Sequence, residues 1–309
     1  MPRFSALLEP PMLPLDVSAH VAASIVPAVL DVLGQRWSLA IVQALLLDGK
    51  SFGQLLAELD APRSTLAARL KHLQAMNCVE ACALGYQLTP AGQALLAVVS
   101  LARDWDARRG VPVPVPAALQ HSCGQPLQAS LRCGHCQQPV AVRDIHLHAA
   151  GVAPSAAHLG KPLKRARAEF AAESQLSAAS ILADRWTALI VALIYFGVQR
   201  YGDLARHLQI APNILADRLL RLTEGGVLLR ETDGASSRPL YRFSAEGLQL
   251  FPLIVALTDW GDQWLRPQYQ ASTQMLHRPC GQPLQAQLHC ACCGERVTLA
   301  SLSAPVGAS

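Results

Sequence analysis

The chain is written twice. Residues Gly34–Leu59, GQRWSLAIVQALLLDGKSFGQLLAEL, align with Ala183–Leu208, ADRWTALIVALIYFGVQRYGDLARHL, at a constant offset of 149. Trp37 meets Trp186, Phe52 meets Tyr201, and Arg69-Leu70 meets Arg218-Leu219. The offset then grows by six, aligning Tyr86 with Tyr241 and Trp105 with Trp260, and by two more, aligning Cys123 with Cys280. A repeat on this scale means that 309 residues encode two copies of one unit, each long enough to bury its own core.

Each copy has the same order of elements. An apolar helix centred on Val29–Leu33 ends near Gly34, and a second follows Trp37. SFGQLLAEL sets Phe52, Leu55, Leu56 and Leu59 at helical spacing. After the turn DAPR, Ser64 is expected to cap the helix TLAARLKHL, whose apolar face is Leu66, Leu70 and Leu73. VEACALGYQL reads as two short strands around a tight turn. Thr89-Pro90 supplies an N-cap and an N1 proline for a long helix ending near Trp105. The fold class expected is α+β, mainly helical: two tandem winged helix-turn-helix units, each followed by a small Cys-rich β-hairpin. The boundaries expected are an N-terminal tail over 1–20, winged-helix units over 21–110 and 176–268, Cys-rich hairpins over 117–145 and 276–300, and a C-terminal tail over 301–309. Residues 146–175 are alanine-rich, carry Lys161, Lys164, Arg165 and Arg167 close together, and read as a linker.

VLGQRWSLAIVQALLLDGKSFGQLLAEL, STLAARLKHL and YQLTPAGQAL, followed by a tryptophan, together resemble the HxlR-type winged-helix transcription regulators. The second copy keeps the pattern in ILADRWTALIV, RYGDL, NILADRLLRL and YRFSAEGLQL. The resemblance implies DNA-binding regulation, usually by a homodimer, and two fused units imply a single-chain pseudo-dimer. Several members of that family sense oxidants through a cysteine just before the proline of the first helix. Here Val26 precedes Pro27, and the second copy has Gln175-Leu176 in that region, so no such sensor is expected.

In a helix-turn-helix the second helix enters the major groove while cations and helix N-termini hold phosphates. With the leucines inward, the first unit presents Ser64, Thr65, Ala68, Lys71 and His72, flanked by Arg63 and Arg69. Short hydroxyls, small alanine and long cations suit a face approaching bases; a plain solvated helix is the alternative. In the second unit Leu215, Leu219 and Leu222 turn inward and Asn213, Ile214, Asp217, Leu220 and Arg221 outward, flanked by Arg218. Asp217 and Leu220 make this the poorer helix for DNA. Its wing, LLRETDGASSRPLYRF, is longer and carries Arg230, Arg238 and Arg242 around an Asp-Gly turn, whereas the first wing has no cation. Unequal half-sites are expected, the first unit reading with its helix and the second anchoring with its wing.

CGQPLQASLRCGHC, Cys123–Cys136, returns as CGQPLQAQLHCACC, Cys280–Cys293. A Cys-x2-Cys knuckle with a third cysteine ten residues back fits one face of a tetrahedral zinc, and His121 and His277 stand just upstream as fourth ligands. The expectation is one zinc per hairpin: His121, Cys123, Cys133 and Cys136 in the first, His277, Cys280, Cys290 and Cys293 in the second. Reduced cysteines packed as small hydrophobes, and a redox switch, are the alternatives. His135 and His289 are expected to point away, His146 and His148 lie further off, Cys292 reads as a spare, and Cys78 and Cys82 as packing residues.

Composition narrows the rest. At 51% hydrophobic and 16% charged the chain is globular, and a net charge of +4 permits nucleic-acid binding through local patches without demanding it. No opening segment reads as a signal peptide and ALIVALIYFGV is too short to span a bilayer, so a cytoplasmic address without a membrane partner is expected. There the nine cysteines stay reduced. No nucleophile–base pair, phosphate loop or paired carboxylates suggests an enzyme. The partner expected is a double-stranded DNA operator, with a small-molecule effector and self-association left open. The competing reading is a winged-helix and zinc-hairpin module that binds protein or a small ligand, its DNA contacts degenerate.

Overall fold

A computed structural model describes residues 25–34, 36–111, 119–149, 176–232, 239–265 and 273–304. The first unit opens with α1 (Val26–Leu33) and α2 (Arg36–Ala44), followed by α3 (Phe52–Leu59) and α4 (Arg63–Ala75). Ser51 caps α3 reciprocally: its hydroxyl accepts from the Gln54 amide while the Gln54 side chain accepts from the Ser51 amide. Helix α4 starts two residues earlier than Ser64 would dictate. Pro62, with ψ of 130°, occupies the cap position and Ser64 lies inside the first turn without capping it. The predicted inward leucines hold, Leu66, Leu70 and Leu73 being at most 1% exposed.

Strands β1 (Val79–Cys82) and β2 (Gly85–Leu88) form the antiparallel wing. Gly85 turns it at φ 127°, where an added Cβ would also meet Lys50 O at 2.7 Å. Thr89 caps as expected, accepting from the Gly92 amide, but the helix it starts is short. The chain breaks after α5 (Pro90–Gln93) and resumes as α6 (Leu96–Arg108). At the break Gly92 passes so close to the wing that a Cβ would lie 2.0 Å from Cys78 O.

The second unit repeats the plan with α7 (Ala178–Ala183), α8 (Arg185–Tyr195), α9 (Tyr201–Leu208), α10 (Pro212–Glu224), β6 (Leu228–Thr232), β7 (Pro239–Phe243), α11 (Ala245–Leu248) and α12 (Phe251–Trp264). The same break between α11 and α12 shows that it belongs to the unit. The two units share one continuous apolar core. Its seam is α12 against α6 and α1, and at Gly261 an added Cβ would lie 2.3 Å from Val29 Cγ2. The seam is nearly two-fold in its chemistry. Trp105 Nε1 donates to Glu246 O at 2.9 Å, and its equivalent Trp260 Nε1 donates to Ala91 O at 2.8 Å.

The Cys-rich segments depart from the expected pair of local hairpins. After β3 (Gln120–His121), β4 (Ala129–Cys133) pairs antiparallel with β10 (Ala286–Cys290) of the other copy, and Leu131 faces its own equivalent, Leu288. Strand β5 (Ile145–Ala149) pairs with β8 (Thr273–His277), and β3 pairs with β11 (Leu302–Ser303). Among the described strands β8 and β9 (Gln282–Pro283) pair within one segment, and elsewhere the local pairing is reduced to single bridges, Gln120 to Pro126, Arg132 to Pro139 and His289 to Arg296. Isolated two-stranded hairpins are marginal, and exchanging partners joins the two segments in small sheets, with β4 and β10 packed against α6 and α12. These strands also cross the expected boundaries: β5 runs into the linker range and β11 lies in the range assigned to the C-terminal tail. Nearly all of that linker, with its basic cluster, lies outside the described residues.

Candidate nucleic-acid interface and metal centres

The recognition helices differ in what their charges do. On α4, Arg63, Ser64, Ala68 and Lys71 are exposed, and Thr65, Arg69 and His72 are half-buried. Arg63 stacks over the Phe52 ring at 5.1 Å, which steadies the guanidinium without neutralising it. Lys71 makes no ion pair with the described residues. His72 is tethered, its Nε2 3.0 Å from Asp31 O. This helix therefore presents uncompensated positive charge beside short polar groups.

On α10 the cations are already spent. Arg218 is a correction to the predicted flanking contacts: its side chain is 9% exposed and pairs with Asp184 at 2.8 Å, as well as with Asp217. Asp184 in turn caps α8, accepting from the Thr187 amide at 2.8 Å. A guanidinium held by a buried carboxylate that caps the next helix is part of the core. Arg221 pairs with Asp217 at 3.1 Å. Asn213 is exposed, and so is Leu220 at 56%. In the second wing Arg242 pairs with Glu231 at 3.5 Å, while Arg230 stands exposed. Arg238 and the Asp-Gly turn lie outside the described residues.

The eight predicted metal ligands do come together, but in a different grouping. His121 and Cys123 meet Cys290 and Cys293, and Cys133 and Cys136 meet His277 and Cys280. In each set all ligand atoms lie within 4.8 Å of one another. Each set thus takes a His–Cys pair from one copy and a Cys-x2-Cys knuckle from the other, correcting the expectation of one complete set per hairpin. The pairing of β4 with β10 is the cause, since it carries each knuckle over to the opposite segment.

The spacing suits a small tetrahedral cation. Cys133 Sγ lies 3.9 Å from Cys280 Sγ, and His277 Nδ1 lies 3.3 Å from Cys136 Sγ and 3.5 Å from Cys280 Sγ. In the other set His121 Nδ1 is 3.5 Å from Cys293 Sγ. A tetrahedron built with Zn–S of about 2.3 Å and Zn–N of about 2.0 Å has edges of about 3.5–3.8 Å. Backbone amides of His135 and Cys136 donate to Cys133 Sγ, and those of Cys292 and Cys293 to Cys290 Sγ, an arrangement that favours thiolate. Two Cys/His groups are thus able to hold a metal.

The bystanders sort as expected at most positions. His289 turns away, its Nδ1 donating to Gly294 O at 2.9 Å. His135 is exposed, and His146 and His148 lie on β5 outside both sets. Cys292 is a fourth thiol beside Cys123, with no counterpart in the other set. Cys78 is fully buried in the first wing, and burial pushes its thiol up to about 12, as suits an inert packing residue.

One further pair of residues, missed in the sequence, ties the paired strands β4 and β10 to the helices. Asp104 on α6 accepts from the Ala129 amide at the start of β4, and its equivalent Asp259 on α12 accepts from the Ala286 amide at the start of β10. Burial raises both carboxyls, Asp259 to about 7. Their matched places in the repeat, one before each paired tryptophan, were the available signal.

Comparison with known proteins agrees with the fold. Residues 32–112 and 181–269, more than half of the chain, match the pattern of the HxlR-like helix-turn-helix family. The uncharacterized HTH-type transcriptional regulator Rv3095 of Mycobacterium tuberculosis is 35% identical over 139 residues, 45% of this chain and 88% of that one. The uncharacterized HTH-type transcriptional regulator YvaP of Bacillus subtilis is 30% identical over 94 residues, 30% of this chain and 87% of its own. The crystal structure of PA1607 is 29% identical, covering 43% of this chain and 96% of that one at a TM-score of 0.38. The two regulators are each spanned almost end to end by less than half of this chain, so each has about the length of one unit. With both of its units matched, this chain belongs to the HxlR-like helix-turn-helix family.

Proposed function

We propose that the protein is a sequence-specific, DNA-binding transcription regulator that acts as a single-chain pseudo-dimer with unequal half-sites. The observation that carries this reading is the contrast between α4 and α10. The first offers Arg63, Ser64 and Lys71 to solvent, while the second has its cations paired with Asp184 and Asp217. A face of exposed cations and hydroxyls on a recognition helix is the footprint of base and phosphate contact. The second unit would then contribute mainly phosphate contacts from its wing, through Arg230 and Arg238. Its regulator-named relatives support the same reading. Each Cys/His group is read as holding one zinc, because three thiolates and an imidazole at tetrahedral spacing suit that ion.

Site selection from random duplex DNA, followed by anisotropy titrations over a range of salt, tests it. The selected site should be lopsided. Lys71→Ala should relax preference on one side of that site, at a cost of about 1–3 kcal/mol if it contacts a base. Arg230→Ala should weaken all sequences alike and reduce the salt slope by about 1. If neither substitution changes affinity or selectivity, the reading fails and a protein- or ligand-binding module takes its place.

A further inference from the structure

We infer that the two metal sites are clasps between the units, each completed only when the two copies of the repeat are docked. This rests on the reading of the Cys/His groups as zinc sites and goes beyond it in assigning which residues share an ion and what the ion joins.

The argument begins with the strands. Leu131 of β4 and Leu288 of β10 are equivalent residues facing each other, so the pair sits on the approximate two-fold relation between the copies. Antiparallel pairing about such a point places the end of each strand over the beginning of its partner's segment. Cys133 closes β4 where its partner Ala286 opens β10, and Cys290 closes β10 opposite Ala129. Each knuckle is thereby presented to the other copy's His–Cys pair. The two crossed sets repeat the same four-ligand arrangement twice, although nothing in their local sequence requires the crossing. One strand pairing accounts for both sets, since the approximate two-fold relation turns each into the other.

The consequence is directional. In a set confined to one hairpin, an ion would hold only that hairpin. In the crossed sets, an ion bonded to His277 and Cys280 on one side and to Cys133 and Cys136 on the other links residues 141 positions or more apart in the chain. Such a link restrains one winged helix relative to the other, beyond the contacts between α6 and α12. Metal occupancy then bears on the spacing of the two DNA-facing units, and each ion counts as part of the unit–unit interface.

Paired cysteine substitutions in the full chain separate the possibilities. The wild-type protein, loaded with zinc and dialysed against a chelator, should retain two ions. Cys123→Ser combined with Cys293→Ser disables one crossed set and should leave one chelator-resistant zinc. Cys123→Ser combined with Cys133→Ser damages both crossed sets and should leave none. If the second variant keeps one tight zinc and the first keeps none, ligation lies within each hairpin and the clasp is overturned. A wild-type protein that retains no zinc overturns the metal reading itself, whatever its DNA binding. Should a variant fail to fold, cadmium-113 substituted into the wild-type protein provides the measurement. Each cadmium resonance should correlate with cysteine β-protons from both halves of the chain, and correlations confined to one half would refute the proposal.

Discussion

The reciprocal tryptophan bonds make a quantitative test of the joint between the units. Trp105 is 1% exposed, donates to Glu246 O at 2.9 Å and carries the Arg109 guanidinium 4.1 Å from its ring centroid. Replacing it with phenylalanine removes the donor and strands a carbonyl at the seam, a loss of about 1–3 kcal/mol. Trimming the indole to a phenyl ring removes buried atoms and leaves a gap worth roughly 1 kcal/mol more. Trp105→Phe should therefore destabilise the protein by about 2–4 kcal/mol, a melting-point drop of about 3–6 °C for a chain of this size. Trp264 is the control, because its buried Nε1 has no hydrogen-bond partner among the described residues. Trp264→Phe makes the same chemical change without losing a bond, and should cost at least about 1 kcal/mol less. Calorimetric melts of both variants, with zinc held constant, measure the difference. Equal losses would mean that the indole–carbonyl bond contributes nothing, and the two-fold seam would reduce to apolar packing.

Two further outcomes follow from buried charge. Asp259 has its carboxyl raised from 3.8 to about 7, by burial first and by Asp262 second, against the Ala286 amide that favours the charged form. The native state therefore holds a proton between about pH 4 and 7 that the unfolded chain releases, so this group's stabilisation is complete below pH 4 and lost as pH rises through 7. Asp259→Asn keeps an acceptor for the amide, and its stability measured against wild type from pH 4 to 8 should show a pH-dependent gap of up to about 4 kcal/mol removed. For Arg218, Met substitution strands the Asp184 carboxylate in the core and should cost about 3–5 kcal/mol in denaturant unfolding. DNA affinity of the remaining folded Arg218→Met protein should match wild type, the opposite pattern to Lys71→Ala.

What the sequence made legible and what it hid divide along one line, between contacts local to a segment and contacts that choose a partner. Helical spacing placed Leu66, Leu70 and Leu73 inward because an amphipathic face depends on nothing beyond its own period. The winged-helix order was readable for the same reason, its caps and turns being encoded within a few residues. The break between α5 and α6 was not, since the close approach of Gly92 to Cys78 O beside it is a contact with another part of the fold. Nor was the burial of Arg218, whose partner Asp184 lies 34 positions away on another helix. The two Cys/His groups are the sharpest case. Every one of the eight was identifiable from spacing, yet in a duplicated chain each contact within a copy has a counterpart between copies, using the same residue types at the same local spacing. Cys123 can be matched with Cys133 and Cys136, or with Cys290 and Cys293, and residue chemistry is indifferent to the choice. What decides is strand pairing: within its own segment β4 has a single bridge, Arg132 to Pro139, whereas against β10 it gains a partner of equal length with leucine opposite leucine. Fusing two copies of a unit into one chain raises the effective concentration of the partner strand, which favours the crossed pairing over two marginal hairpins. The duplication read first in the sequence is thus also the physical reason that its ligand sets were grouped wrongly from the sequence.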